Sequence, residues 1–187
     1  MIDALISSKT RIKLLLKFFL NSNTTAYLRN LESEFGDSTN AIRIELNRME
    51  EAGLLLSAAD GNKKIFRANV RHPLFREIHT ILLKHIGLDR IVEDVVKNLG
   101  DIRQVYLIGE FSRGLDSPVI DLIIVGNLDK RYLLELIEKA EKLVHRKIRY
   151  LIYSPEEAEN MDWSQYDPRP LLLWNGFPDK KSFNKTT

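Results

Sequence analysis

The hydrophobic pattern of the chain changes its period at Gly53. Before this glycine, apolar side chains recur at helical spacing, at Ile42, Leu46 and Met49. This spacing predicts a helix over about residues 39–52, with Gly53 placed to end it. After it, the stretch LLLSAADGNKKIFRANV contains two short β-type runs around the turn Asp60-Gly61-Asn62. Such a turn between two runs is a strong hairpin signal, so a helix followed directly by a β-hairpin is predicted.

Two further helical patterns precede this helix. The first follows Ser7 or Ser8, either of which can cap a helix, and its apolar positions are Ile12, Leu15, Leu16 and Phe19. The second is predicted to start near Thr25 and to bury Leu28, Leu31 and Phe35. Gly36 then supplies the bend of a tight turn, with Asp37 or Ser38 as the next cap. Three helices and a hairpin predict a winged helix-turn-helix over residues 1–72.

The third predicted helix carries a polar stripe opposite its buried face. The stripe consists of Asn40, Arg43 and Asn47. Arg and Asn side chains make bidentate contacts with guanine and adenine edges in the major groove, usually near the start of a recognition helix. Ser38 and Thr39, beside the free N–H groups of the first helical turn, suit a phosphate. The hairpin tip adds Asn62, Lys63 and Lys64. We therefore expect double-stranded DNA as the partner.

A solvated helix face or a protein-binding surface is the alternative interpretation of this stripe. Glu45, Glu50 and Glu51 dilute its basic character. The net charge of the chain is only +2, so any nucleic-acid surface must be local. DNA binding is favoured because the stripe, the turn and the basic hairpin tip fall where one docking geometry needs them.

Residues 8–70 resemble the ArsR-type winged-helix regulators of bacteria. The resemblance lies in TTAYLRNLESEFGDSTNAIRIELNRMEEAGLL and the hairpin after it, and it implies a transcriptional regulator. Many members of that family sense metals through cysteines. This chain has no cysteine, which excludes that sensing mode together with disulfides and zinc-thiolate sites.

Residues 73–100 are predicted to form connecting helices with a wide apolar face. The first helix, 73–86, is expected to bury Leu74, Ile78, Ile81 and Leu82. Because winged helices commonly bind paired half-sites as two-fold dimers, part of this face is expected to pack on a second copy of the chain.

From residue 101 the pattern becomes α/β. Strands are predicted at 103–108, 119–125 and 147–153, with a helix capped by Asp129 between the last two. PLLLWNG adds a final strand or packed segment, and residues 179–187 are expected to be disordered. The predicted second domain spans 101–178.

The stretch LIGEFSRGLDSPVIDLIIVG, residues 107–126, resembles the motif of minimal nucleotidyltransferases in its layout: a strand, a Gly-x turn, Arg-Gly, DSP, then an acidic strand. Nucleotidyl transfer needs two divalent cations about 4 Å apart, which carboxylates hold. Asp-x-Asp places two acids on one side of a strand, and a third usually comes from a neighbouring strand. The predicted fold class is therefore a two-domain α+β and α/β chain, a winged helix-turn-helix followed by a nucleotidyltransferase-like mixed sheet with helices.

The chemistry of that motif is incomplete in this chain. Glu110 follows Gly109 where the family has serine, and Val119 stands where the first metal acid would lie. The third strand offers Arg149 instead of an acid, and we expect it to pair with the remaining carboxylate, Asp121. Gly109, Glu110 and Asp121 are thus interpreted as the remnant of a catalytic site, with no metal, no cofactor and no enzyme activity.

The sequence accordingly predicts a dimeric DNA-binding transcriptional regulator whose inactive second domain serves sensing or assembly, with a nucleotide or small-molecule effector left open. No segment approaches the roughly 20 apolar residues of a membrane span, and we expect a cytoplasmic location. Two alternatives stay open. One is an active metal-dependent nucleotidyltransferase in which Glu110 or Asp116 replaces a missing acid. The other is an antitoxin-like protein-interaction module.

Overall fold

The computed structural model describes residues 2–176 and shows mixed helix and sheet. The chain divides into two compact units, Met1–Asp89 with Glu110–Ser117, and Arg90–Gly109 with Pro118–Thr187. The predicted tail, 179–187, lies outside the described residues. Among the described residues, no helix is long and apolar enough to cross a membrane.

The first unit alternates helices with a small sheet. Its elements are α1 (Lys9–Leu15), a π-helical continuation (Leu16–Leu20), β1 (Thr25–Tyr27), α2 (Leu28–Phe35), α3 (Thr39–Glu51), β2 (Leu55–Asp60), β3 (Lys63–Ala68) and α4 (Phe75–Ile86). The sheet is antiparallel throughout, with strand order β1-β3-β2. The next helix, α5 (Leu88–Asn98), crosses the division between the units.

Serine side chains start two of these helices. The Ser8 hydroxyl accepts a hydrogen bond from the Arg11 N–H at 3.2 Å, and the Ser38 hydroxyl accepts one from the Ala41 N–H at 3.2 Å. Asp37, the other predicted cap of α3, instead accepts hydrogen bonds from side chains of α1. Ser8 rather than Ser7 therefore caps α1, and Ser38 rather than Asp37 caps α3.

The core of the first unit forms around the end of α1 and its π-helical continuation. Leu14, Leu16, Phe18, Phe19 and Leu20 are 1% exposed or less. The Phe19 ring stacks on Phe75 of α4 with centroids 5.4 Å apart. The expected inward positions of α3, Ile42, Leu46 and Met49, are also buried, which confirms the helical period predicted there.

The predicted start of the second helix near Thr25 is wrong. Thr25–Tyr27 is strand β1, and it pairs with β3 through Ala26 opposite Phe66. Helix α2 begins only at Leu28. A β-branched and an aromatic residue beside a hairpin edge gain cross-strand contacts that an isolated helical turn lacks.

The predicted apolar face of α4 is only partly right. Leu82 is buried as expected, and Ile86 is buried as well. Leu74 and Ile81, however, are 54% and 40% exposed. The helix also starts at Phe75 rather than 73, and it turns Phe75 and His79 toward Phe19. The buried face of α4 is therefore rotated away from the predicted one.

The second unit is built on a four-stranded sheet with the order β6-β5-β4-β7. Its elements after α5 are β4 (Gly100–Ile108), β5 (Val119–Leu128), α7 (Lys130–Val144), β6 (Lys147–Tyr153), α8 (Pro155–Glu159) and β7 (Leu171–Asn175), while the short helix α6 (Gly109–Ser112) begins at the division between the units. Strands β5 and β6 are parallel, and β4 is antiparallel to β5 and β7. The predicted strands are confirmed, with β4 and β5 longer than expected, and Asp129 caps α7.

The segment Glu110–Ser117, which lies inside the stretch 107–126, belongs to the first unit. The Asn21 side-chain amide donates a hydrogen bond to the Ser112 carbonyl at 3.0 Å. Gly114 lies so close to the π-helical continuation that a Cβ there would stand 2.4 Å from the Lys17 Cα. A side chain at this position would collide with backbone, which cannot yield as a flexible side chain can.

We predict that Gly114→Ala destabilises the protein more than Gly36→Ala. Both glycines have positive φ, 74° and 65°, but a Cβ at Gly36 would meet no atom within 4 Å. Gly36→Ala should cost only the left-handed strain, about 1–2 kcal/mol. Circular dichroism during urea unfolding measures both losses. Equal losses would contradict the close approach of Gly114 to Lys17.

Candidate nucleic-acid interface

The exposed face of α3 carries the predicted polar stripe. Asn40, Arg43 and Asn47 are all exposed. Within residues 2–176, their side chains make no hydrogen bond or ion pair that would occupy them. Their donors and acceptors are thus available to a partner of the protein.

A groove of about 490 Å³ runs between this face and the hairpin. The predicted site residues that line it are Thr39, Arg43, Asn47, Lys63 and Lys64. Ser38, Asn40 and Asn62 lie outside this lining. The structure therefore brings two members of the polar stripe, Arg43 and Asn47, and the two hairpin lysines to one concave surface.

Most of the charged side chains that line the groove are cationic. Arg29 of α2 joins Arg43 and the two lysines, and Glu32 is the acid among the lining residues. Tyr27, Leu28 and the buried Leu46 and Phe66 complete the lining. The groove combines an excess of positive charge with apolar surface, which suits a polyanion that also has flat or apolar groups.

The two hairpin lysines have different surroundings. Lys64 Nζ donates to Glu50 Oε2 at 2.6 Å, and the Ser57 hydroxyl donates to Glu50 Oε1 at 2.5 Å. These bonds hold the pKa of the Glu50 carboxyl below its ordinary value. Lys63 Nζ instead lies 5.6 Å from the centroid of the Tyr27 ring. Both lysines thus lie near an aromatic ring, Lys64 at 5.1 Å from the Phe66 centroid, and they differ in the acidic partner of Lys64.

Tyr27 is a site residue that the sequence did not indicate. Its hydroxyl donates a hydrogen bond to Asp60 at the hairpin tip, and this bond raises the pKa of the Tyr27 hydroxyl. The contact links β1 to the hairpin tip. The available signal was the Thr-Ala-Tyr run, which has strand composition, but the prediction assigned it to a helix.

An ion pair between the buried Glu45 and the partly exposed Arg11 holds α3 against α1. Glu45 is 6% exposed, and Arg11 Nε donates to its carboxylate at 2.8 Å. Burial by itself would raise the pKa of Glu45. The hydrogen bonds from Arg11 and Ser8, with the nearby charges of Arg11 and Arg48, outweigh burial and lower it. The ionised carboxylate is thus the form that the folded state favours.

In the second unit, Asp121 pairs with Arg149 as predicted. The two residues are opposite each other on parallel strands β5 and β6. Arg149 donates to both carboxylate oxygens of Asp121, at 2.6 and 3.0 Å, and these bonds raise the pKa of Arg149. The bidentate arginine uses one lone pair on each carboxylate oxygen and compensates the charge that would attract a cation.

Gly109, Glu110 and the alternative acid Asp116 each have close neighbours of their own. A Cβ on Gly109 would stand 2.4 Å from a carboxylate oxygen of Asp121. Glu110 Oε1 lies 3.9 Å from Arg113 Nη1. The Asp116 carboxylate accepts a hydrogen bond from the Ser117 N–H at 3.1 Å. Glu110 and Asp116 belong to the first unit and Asp121 to the second. Among the described residues, no group of three or more His, Asp or Glu side chains is arranged to hold a metal ion.

Compared with known proteins, the chain matches no protein-family model, no curated protein and no solved structure. The geometry of the two units is therefore the basis for a functional proposal.

We predict that the stabilising effect of Glu45 disappears at low pH. A carboxyl whose pKa is lower in the folded state stabilises the fold above its unfolded pKa, about 4.3, and this contribution is lost as the pH falls through the folded value. Wild type should therefore exceed Glu45→Gln in urea midpoint at pH 7, and the difference should shrink below about pH 4. Urea unfolding followed by circular dichroism at both pH values measures this difference in midpoint.

Glu51→Gln provides the control, because Glu51 is an exposed glutamate on the same helix. Its urea midpoint should follow that of wild type. A difference between wild type and Glu45→Gln that does not change with pH would contradict the role of the ionised carboxylate.

Proposed function

We propose that the chain is a DNA-binding transcriptional regulator whose first unit is a winged helix-turn-helix. The chain order α1, β1, α2, α3, β2, β3 and the antiparallel sheet β1-β3-β2 support this assignment. The resemblance of residues 8–70 to ArsR-type regulators agrees with it. In this proposal α3 is the recognition helix, and the β2–β3 hairpin is the wing.

The observation that carries the proposal is the groove between α3 and the hairpin. It collects Arg43 and Asn47, which suit base edges, with Lys63 and Lys64, which suit phosphates. Thr39, in the first turn of α3, lies where a helix N-terminus attracts an anion. One docked duplex would engage all these groups together, with α3 in the major groove and the hairpin along the backbone.

Homodimerisation is part of the same proposal. Leu74 and Ile81 expose apolar surface on α4 that the first unit does not bury. Two copies joined through such a surface would present two copies of α3 to paired half-sites. An inverted repeat in DNA selected by the protein would report this symmetry.

We predict that Arg43→Ala weakens specific DNA binding by about 1–3 kcal/mol and relaxes base preference at one position. Replacing both lysines, Lys63→Gln with Lys64→Gln, should weaken binding evenly across sequences. Each phosphate contact adds roughly one to the salt slope, and Glu50 already neutralises much of Lys64. The slope should therefore fall by about one rather than two. Fluorescence anisotropy at several salt concentrations measures both effects.

Arg131→Ala is the matched control, since it removes an exposed arginine from a helix of the second unit. Its affinity should stay within twofold of wild type. Binding that survives both the Arg43 and the lysine substitutions unchanged would remove DNA recognition by this surface and favour a protein-interaction module.

The second unit is proposed to keep a nucleotidyltransferase-like framework without its catalysis. The support is chemical: Val119 replaces one metal acid, and the bidentate Arg149 engages the carboxylate of Asp121. Two-metal chemistry needs several carboxylates facing the same cations, and one that is already paired cannot provide this.

We predict no transfer from labelled nucleoside triphosphates with Mg²⁺ or Mn²⁺ above the level of the Asp121→Asn variant. The readout is label incorporated into the protein itself or into added nucleic acid. Transfer by wild type that disappears in Asp121→Asn would overturn this proposal and establish an active nucleotidyltransferase.

A further inference from the structure

One apolar side chain interrupts the polar face of α3. Ile44 is 42% exposed, whereas the inward apolar residues of the same helix, Ile42, Leu46 and Met49, are 2% exposed or less. Ile44 follows Asn40 by four residues and precedes Asn47 by three. Residues at these spacings are neighbours on a helix surface. Ile44 therefore lies on the exposed face beside Asn40 and Asn47, on the side of the stripe away from Arg43.

Neither local structure nor core packing accounts for an isoleucine at this place. A β-branched side chain loses rotamer freedom in a helix and has lower helix propensity than Lys, Glu or Gln. Its exposed apolar surface is also left in water. Single exposed apolar residues are common on proteins. What distinguishes Ile44 is its position between side chains that suit base edges.

The major groove of DNA offers one apolar group among its hydrogen-bonding edges, the C5-methyl of thymine. We infer that Ile44 contacts this methyl group and makes the protein prefer thymine over cytosine at one position of each half-site. This inference rests on the proposed function, because it requires α3 to enter the major groove. The methyl contact would add to the hydrogen bonds assigned to Arg43 and Asn47 a way to distinguish thymine from cytosine.

The geometry of α3 limits where that thymine lies. Asn40 and Asn47 are seven residues apart, which is about 10.5 Å along a helix axis at 1.5 Å per residue. Successive base pairs are about 3.4 Å apart on each strand. For a helix lying along the groove, these two residues span roughly three base pairs, and Ile44 lies between them. The thymine should therefore fall inside the short block that the asparagines bracket.

The test replaces thymine with deoxyuridine, which removes only the methyl group and leaves the Watson–Crick edge and its hydrogen bonds intact. Binding sites are first selected from random DNA with the full-length chain. Each thymine of the selected site is then replaced in turn, and affinity is measured by fluorescence anisotropy. One thymine per half-site should lose about fourfold in affinity, as expected for one buried methyl group.

Two variants show whether Ile44 causes the effect. Ile44→Ala should bind the thymine and deoxyuridine sites equally, and because Ile44 is exposed this variant should keep the wild-type urea midpoint. Arg43→Ala should lose affinity for both sites but keep the fourfold ratio between them. The ratio thus separates the methyl contact from general weakening.

The failures of the two proposals are distinguishable. If no DNA sequence is selected, both the proposed function and this inference are overturned. If DNA is selected but every thymine can be replaced without loss, only the methyl contact is overturned. A thymine effect that persists unchanged in Ile44→Ala also overturns the assignment to Ile44.

Discussion

The first unit depends on how one face of α3 is held while the other stays exposed. Leu46 and its apolar neighbours are buried, and Glu45 adds a charge that Arg11 compensates together with Ser8 and Arg48. Losing one partner of such a pair leaves an uncompensated charge, so the contact constrains the position of α3 on α1. Because α3 is a single helix, fixing its buried face also fixes the direction in which Arg43 and Asn47 point.

In the second unit, an ion pair between neighbouring strands decides how the carboxylate of Asp121 is compensated. Parallel strands β5 and β6 place Asp121 directly opposite residue 149. With an acid at that position, the two side chains would repel each other unless a cation lay between them. With Arg149, the charges cancel without a metal. The residue opposite Asp121 therefore decides whether that carboxylate needs a cation or is already compensated.

Much of the candidate interface could be predicted from local patterns. The helical period of α3 and the Asp-Gly-Asn turn of the hairpin are short-range signals, and both elements lie where they are expected. Strand β1 and the buried face of α4 were assigned wrongly, because each depends on a partner distant in the chain. Ala26 lies beside Phe66 only after the hairpin has formed, and Phe75 turns inward because Phe19 is there.

The sequence by itself determined which residues carry charge, which segments can form helices and strands, and that valine and arginine stand at positions 119 and 149. Only the tertiary structure decided which of these groups meet. Lys64 is paired with Glu50, while Lys63 lies over Tyr27. Ile44 is left exposed among polar neighbours. The reason is that electrostatic and apolar contacts act over a few ångströms of space, and sequence patterns fix neighbours only within a single element.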